Sequence, residues 1–129
     1  MKITTKTDYA VIVLTHLATT PDKPVSLQSI AEAAGISEAY LQRIAARLKA
    51  KGVIKPKHGA FGGYLLNMPA DKITLRLVME SVGDRTAAVR CSNQKCAHCE
   101  GCSARSGWQH FQIMLNNLFE CTTIADMVK

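Results

Sequence analysis

Four of the five cysteines lie within twelve residues, Cys91 to Cys102, in the run C-S-N-Q-K-C-A-H-C-E-G-C. Thiols clustered this closely in a polar stretch point to metal or redox chemistry, because thiolate reactivity rather than packing decides where cysteines gather. Three chemistries fit the spacing. An iron–sulfur cluster takes thiolates in short-spaced runs, and Cys96-x-x-Cys99-x-x-Cys102 has part of a ferredoxin-type pattern, without a fourth cysteine at the ferredoxin interval. Zinc would take all four thiols, or three with His98, as a closed tetrahedral site. A metal-free thiol switch needs only two accessible cysteines of low pKa. Cys121, outside the run, reads as a buried or half-buried thiol. No catalytic set emerges, since His16, His58, His98 and His110 fall on different predicted elements with no carboxylate or nucleophile beside them.

The remainder of the 129 residues must position that run, and their length suits one compact domain with an appended element. No stretch of 18 or more apolar residues occurs, which argues against a membrane helix. Tyr9–Ala18 is apolar enough for a signal peptide but lacks a cleavage site, so it reads as the first helix of a cytoplasmic protein. The odd cysteine count agrees with a reducing compartment. Net charge is +6, and its placement matters more than its size. From Arg43 to His58 the charged residues are Arg43, Arg47, Lys49, Lys51, Lys55 and Lys57, with no acid among them, a footprint suited to a polyanion.

Hydrophobic periodicity predicts a helix from about Lys6 to Ala18, with Thr5-Lys6-Thr7-Asp8 in capping-box form. Ser26 caps a short helix carrying Leu27, Ile30 and Ala34, Gly35 turns the chain, and Ser37 caps a second helix whose stripe is Leu41, Ile44 and Leu48. Two helices about a glycine turn form a helix-turn-helix, whose second helix enters the major groove. Gln28, Ser37, Glu38, Tyr40, Gln42 and Arg43 then stand where bases or phosphates are met. Tyr40 is equally suited to the core, and Glu38 to the helix dipole. Val53-Ile54 and Tyr64-Leu66 read as short strands around a basic, glycine-rich tip. This is a wing. Its Lys55, Lys57 and His58 reach phosphates or the minor groove, as do Arg47, Lys49 and Lys51 before it, and Gly59 permits close backbone approach. Thr74 caps a further helix that Gly83 stops.

After the cysteines, Trp108, Phe111, Leu115 and Leu118 recur at spacings of three, four and three, with Phe119 alongside. The seam can serve the chain's own core or a second copy. A helix-turn-helix protein reading a palindrome needs a two-fold partner, so a homodimer interface is expected. The fold class expected is mainly α with a small β wing: a winged helix-turn-helix domain over residues 1–83, a cysteine-rich loop at 84–103, and a dimerisation helix with the terminal segment at 104–129. The expected partner is double-stranded DNA with a palindromic operator. A small electron carrier is a poorer fit, since the helix-turn-helix and wing would then be idle.

In T-D-Y-A, S-L-Q-S-I-A-E-A-A-G-I-S-E-A-Y-L, G-G-Y-L-L, P-A-D-K-I-T-L-R-L-V-M-E-S-V and the late cysteine loop running into a Trp-bearing helix, the chain resembles the Rrf-two family of small bacterial winged helix-turn-helix repressors. The resemblance implies a homodimer whose long C-terminal helices cross, and an iron–sulfur cluster near that interface controlling promoter binding. It places the three usual ligands on Cys91, Cys96 and Cys102, leaving Cys99 as an extra thiol and candidate fourth ligand. Asp8 falls where some nitric-oxide-sensing members supply a carboxylate. The implied signals are nitric oxide, oxidants or iron–sulfur supply. Two departures stand out: the wing reads His58-Gly59-Ala60-Phe61 where many members carry Arg-Gly-Pro, and Gln42 replaces an often acidic residue.

Overall fold

A computed structural model describes residues 2–89, 91 and 100–128. Its elements run α1 (Thr5–Thr19), α2 (Leu27–Ala34), α3 (Glu38–Ala50), β1 (Ile54–Lys57), β2 (Gly63–Leu66), a 3-10 turn (Ala70–Lys72), α4 (Leu75–Ser81), α5 (Arg105–Cys121) and α6 (Ile124–Met127). The mainly α chain with a two-stranded antiparallel wing is the fold class the sequence led us to expect.

The expected caps at three helices are present. The backbone N–H of Ser29, Tyr40 and Leu77 donate to the hydroxyls of Ser26, Ser37 and Thr74, satisfying donors that the first helical turn leaves free. Gly35 ends α2 in the left-handed region, at φ 68°, where a side chain would be strained. The apolar stripes of α1, α2 and α3 (among them Val13, Leu14, Ile30, Leu41, Ile44 and Leu48) meet in one core with Val53, Ile54, Ile73 and Val78.

Helix α1 departs from expectation at its start. Thr4, not Thr5, is the N-cap, its hydroxyl accepting from the Lys6 N–H at 3.2 Å, so Asp8 is one position too late to complete a capping box. Asp84 supplies the carboxylate instead, from eighty residues away.

The strands are longer and the tip shorter than expected: Lys55 and Lys57 lie within β1, and Lys57 pairs with Gly63. Pro56 is tolerated mid-strand because Tyr64 opposite spends both backbone groups on Val25, at 3.0 and 2.9 Å, and asks Pro56 for no donor. Gly63 is required there, since an added Cβ would lie 2.4 Å from the Val25 carbonyl oxygen.

The C-terminal segment returns to the core. Thr74 bridges Thr123, and Ile124 of α6 is 1% exposed among the side chains of α1. Residues after α5 therefore share the core of the winged domain, and α5 is the element that leaves most of its residues exposed.

Candidate regulatory and nucleic-acid-binding site

Gln28, Ser37, Glu38, Gln42 and Arg43 are exposed on α2 and the start of α3. Ser37 also caps α3, and Gln28 bonds Glu32 at 3.3 Å. Tyr40 is half-buried, its ring meeting that of Tyr9 edge-on with centroids 5.3 Å apart, so it packs α3 onto α1. Lys49, Lys51, Lys55, Lys57, His58 and Gly59 are all exposed along the end of α3 and the wing. Arg47 has a different engagement from the DNA contact expected of it. Its Nη1 donates to the Val82 carbonyl at 2.8 Å, tying α3 to the end of α4.

That junction continues into the segment that leads to the cysteines. The Asp84 carboxylate accepts from the Thr4 N–H at 3.1 Å, from the Thr4 hydroxyl at 2.7 Å and from the Thr7 hydroxyl, with Lys6 Nζ at 3.8 Å. Burial pushes its carboxyl up, but the bonds from Thr7 and Thr4 and the charge of Lys6 together bring it below its usual value. Just beyond Asp84, Gln112 of α5 holds the same segment. Its Oε1 accepts from the Ala88 N–H at 2.6 Å, and its Nε2 donates to the Thr86 carbonyl at 3.0 Å and to Asn116 at 2.9 Å. The chain entering the cysteine run is thus fastened to α1 at one end and to α5 at the other, while Arg47 joins α3 to the residue two places before Asp84.

Neither Asp84 nor Gln112 was among the expected site residues. Each leaves a trace in the sequence: Asp84 is an acid just past a helix C-terminus, where the dipole disfavours it, and Gln112 is a polar residue inside an apolar seam.

Of the cysteines, Cys91 is half-buried and Cys102 exposed, both as free thiols; Cys96, Cys99 and His98 lie outside the described residues. Cys121, expected to be at least half-buried, is exposed at the end of α5 because the helix turns that side away from the core. Asp8 is exposed in the first turn of α1. No group of three metal-binding side chains occurs among the described residues.

On α5, Trp108, Phe111 and Leu118 are 47%, 45% and 60% exposed, and Leu115 is half-buried. Ile113 and Met114, not anticipated, are also exposed. Phe119 corrects the expected seam: at 3% exposure it lies on the Gln112 side, two turns along, and is buried within its own chain.

With this geometry in view, the comparisons with known proteins are decisive. The model of the Rrf2 (Rrf-two) family, described as an iron-dependent transcriptional regulator, matches residues 3–129. The chain belongs to the Rrf2 family. It is 31% identical over 130 residues to the HTH-type transcriptional regulator IscR of Yersinia enterocolitica, covering 99% of this chain and 79% of that protein. A putative HTH-type transcriptional regulator of Haemophilus influenzae is 29% identical, with 99% and 87% covered. Among solved structures, CymR, the global cysteine regulator of B. subtilis, superposes with a TM-score of 0.87 at 28% identity, covering 99% of this chain and 96% of that one. T. potens IscR gives 0.77 at 29% identity, covering 99% and 86%. The protein is accordingly an Rrf2-family, DNA-binding transcriptional regulator and not an enzyme. No helix among the described residues is long and apolar enough to cross a membrane.

Proposed function

We propose that this regulator acts as a homodimeric repressor whose binding to a palindromic operator is set by an iron–sulfur cluster at Cys91, Cys96 and Cys102. Asp8 or Cys99 completes the ligand set. The observation that carries the reading is the fastening of the segment before the cysteines. Asp84 grips the start of α1, Gln112 grips the segment from α5, and Arg47 joins α3 to Val82. A change of ligation at Cys91 acts on a chain that touches the recognition helix two residues before Asp84, and on the helix with the exposed apolar face.

The donor set suits such a group. Cys91 and Cys102 are free thiols, and no hydrogen bond or ion pair occupies the Asp8 carboxylate among the described residues. A bound cluster would supply a centre reactive to nitric oxide, oxidants and iron–sulfur supply. Three thiolates with one weaker ligand suit a labile sensor better than an electron carrier. Dimerisation through Trp108, Phe111, Leu115 and Leu118 would set the two recognition helices about one turn of DNA apart.

A second reading, a metal-free thiol switch, is favoured by the exposure of Cys102 and Cys121 and by the similarity to Staphylococcus aureus CymR, solved in an oxidised form at 25% identity and a TM-score of 0.78. One experiment separates the readings: anaerobic purification with iron, sulfide and zinc analysis, then binding to DNA upstream of its own gene with and without the bound group. Iron with sulfide, and binding that changes on their removal, is expected. Stoichiometric zinc with neither would sink the cluster, and redox-dependent binding by metal-free protein would establish the switch.

A further inference from the structure

Phe61 is 93% exposed, far more than any other large apolar side chain among the described residues, where Leu118 at 60% is next. It stands alone on the wing. The other exposed large hydrophobics lie near the N-terminus, on α5 or at Met127, so it belongs to no apolar patch of the size that marks a protein interface. The tip that carries it is tightly built. The Gly62 N–H donates to the Gly59 carbonyl at 3.1 Å, and a Cβ on Gly62 would lie 2.4 Å from the Lys57 carbonyl oxygen. Gly59, at φ 126°, takes a conformation that side chains resist. An exposed ring at the end of a closely packed turn contributes nothing to the core and is free to meet a partner.

The surroundings specify that partner. Lys55, Lys57 and His58 are exposed on the same wing, and no acid occurs between Arg43 and Ala70. Gly59 and Ala60 put little side-chain bulk on the tip, and both are exposed. We propose that Phe61 is an apolar wedge that enters the minor groove of DNA and partly unstacks one base step, while Lys55 and Lys57 hold the flanking phosphates. Apolar side chains inserted in this way kink duplexes, and the step opened is the one easiest to unstack, a pyrimidine–purine step. The inference rests on the DNA-binding reading above and adds to it a residue that selects sequence through deformability.

The test uses the full-length protein and a duplex obtained by repeated selection from a pool with a randomised core of about three turns of DNA. Selected duplexes should carry TA or CA/TG where the wing falls, and 2-aminopurine placed at that step should brighten on binding. Phe61→Ala should abolish the brightening and weaken binding about tenfold, with the salt dependence unchanged, whereas Phe61→Leu should retain both. Phe61→Lys should steepen the salt dependence without restoring the brightening. Wild-type affinity and brightening in Phe61→Ala would overturn the wedge while leaving DNA binding intact. A changed oligomeric state in Phe61→Ala would overturn it in favour of a contact between copies. Failure of the wild type to enrich any duplex would overturn both the wedge and the reading beneath it.

Discussion

Helices α3 and α5 are both amphipathic, yet they dispose of their apolar sides in opposite ways. Helix α3 buries Leu41, Ile44, Ala45 and Leu48 and turns its cations outward. Helix α5 buries only Gln112 and Phe119 and leaves Trp108, Phe111, Ile113, Met114 and Leu118 in the open. It also starts at Ala104 without a side-chain cap and carries Gly107 in its first turn, so its own sequence does little to hold it helical. Helix α3 is finished by its own chain, whereas α5 exposes the sort of face that a second copy would cover.

The contrast between the two helices should be greatest in the core. Leu48 is fully buried under α3, and Leu48→Ala should cost about 2–5 kcal/mol, read as a lowered midpoint in urea unfolding. The corresponding truncation on α5, Leu118→Ala, should leave unfolding of the single chain within about 0.5 kcal/mol. Equal losses at the two sites would erase the distinction.

Asp84 lies at the junction that connects the two regions. Its folded carboxyl titrates below its usual value of 3.8, so its contribution is fully present above that value and is lost as pH falls through the lower folded value. Asp84→Asn should cost about 1.5–3 kcal/mol at neutral pH, through bonds made to a charged group. Its stability should then vary less than the wild type's below about pH 4. Parallel acid-unfolding curves for the two proteins would contradict this.

Trp108 and Phe111 form an edge-on pair with centroids 5.9 Å apart on the open face of α5. Replacing both with Ala should raise the dimer dissociation constant about tenfold or more in sedimentation, without a matching loss in unfolding of the chain. A wild type that sediments as a monomer at all concentrations would remove α5 from any interface.

Local rules made much of this readable beforehand. Ser26, Ser37 and Thr74 each cap the helix they precede, and the helical period picked out the face of α3 that is buried. The period also found the apolar face of α5, but it cannot say whether the chain itself or a partner covers that face, nor that Phe119 turns inward. Contacts distant in sequence left fainter marks. Asp84 meets Thr4 across eighty residues and displaces the expected Thr5–Asp8 capping box, and nothing periodic announces such a pair. In the sequence Arg47 is one cation in a basic block, and only its bond to Val82 sets it apart from Lys49 and Lys51.

The smallest effect concerns the cations that remain free. Lys57 is exposed on β1 and has no ion-pair partner among the described residues, so Lys57→Ala should change unfolding by no more than about 0.5 kcal/mol. As a phosphate contact it should weaken binding to all duplexes alike and reduce the slope of log affinity against log salt by about 1. Arg47→Ala should do the reverse, because its guanidinium holds Val82: stability falls, and the salt slope changes less than for Lys57. Matching slopes in the two variants would return Arg47 to the DNA-contacting set and leave the α3 junction without a separate role.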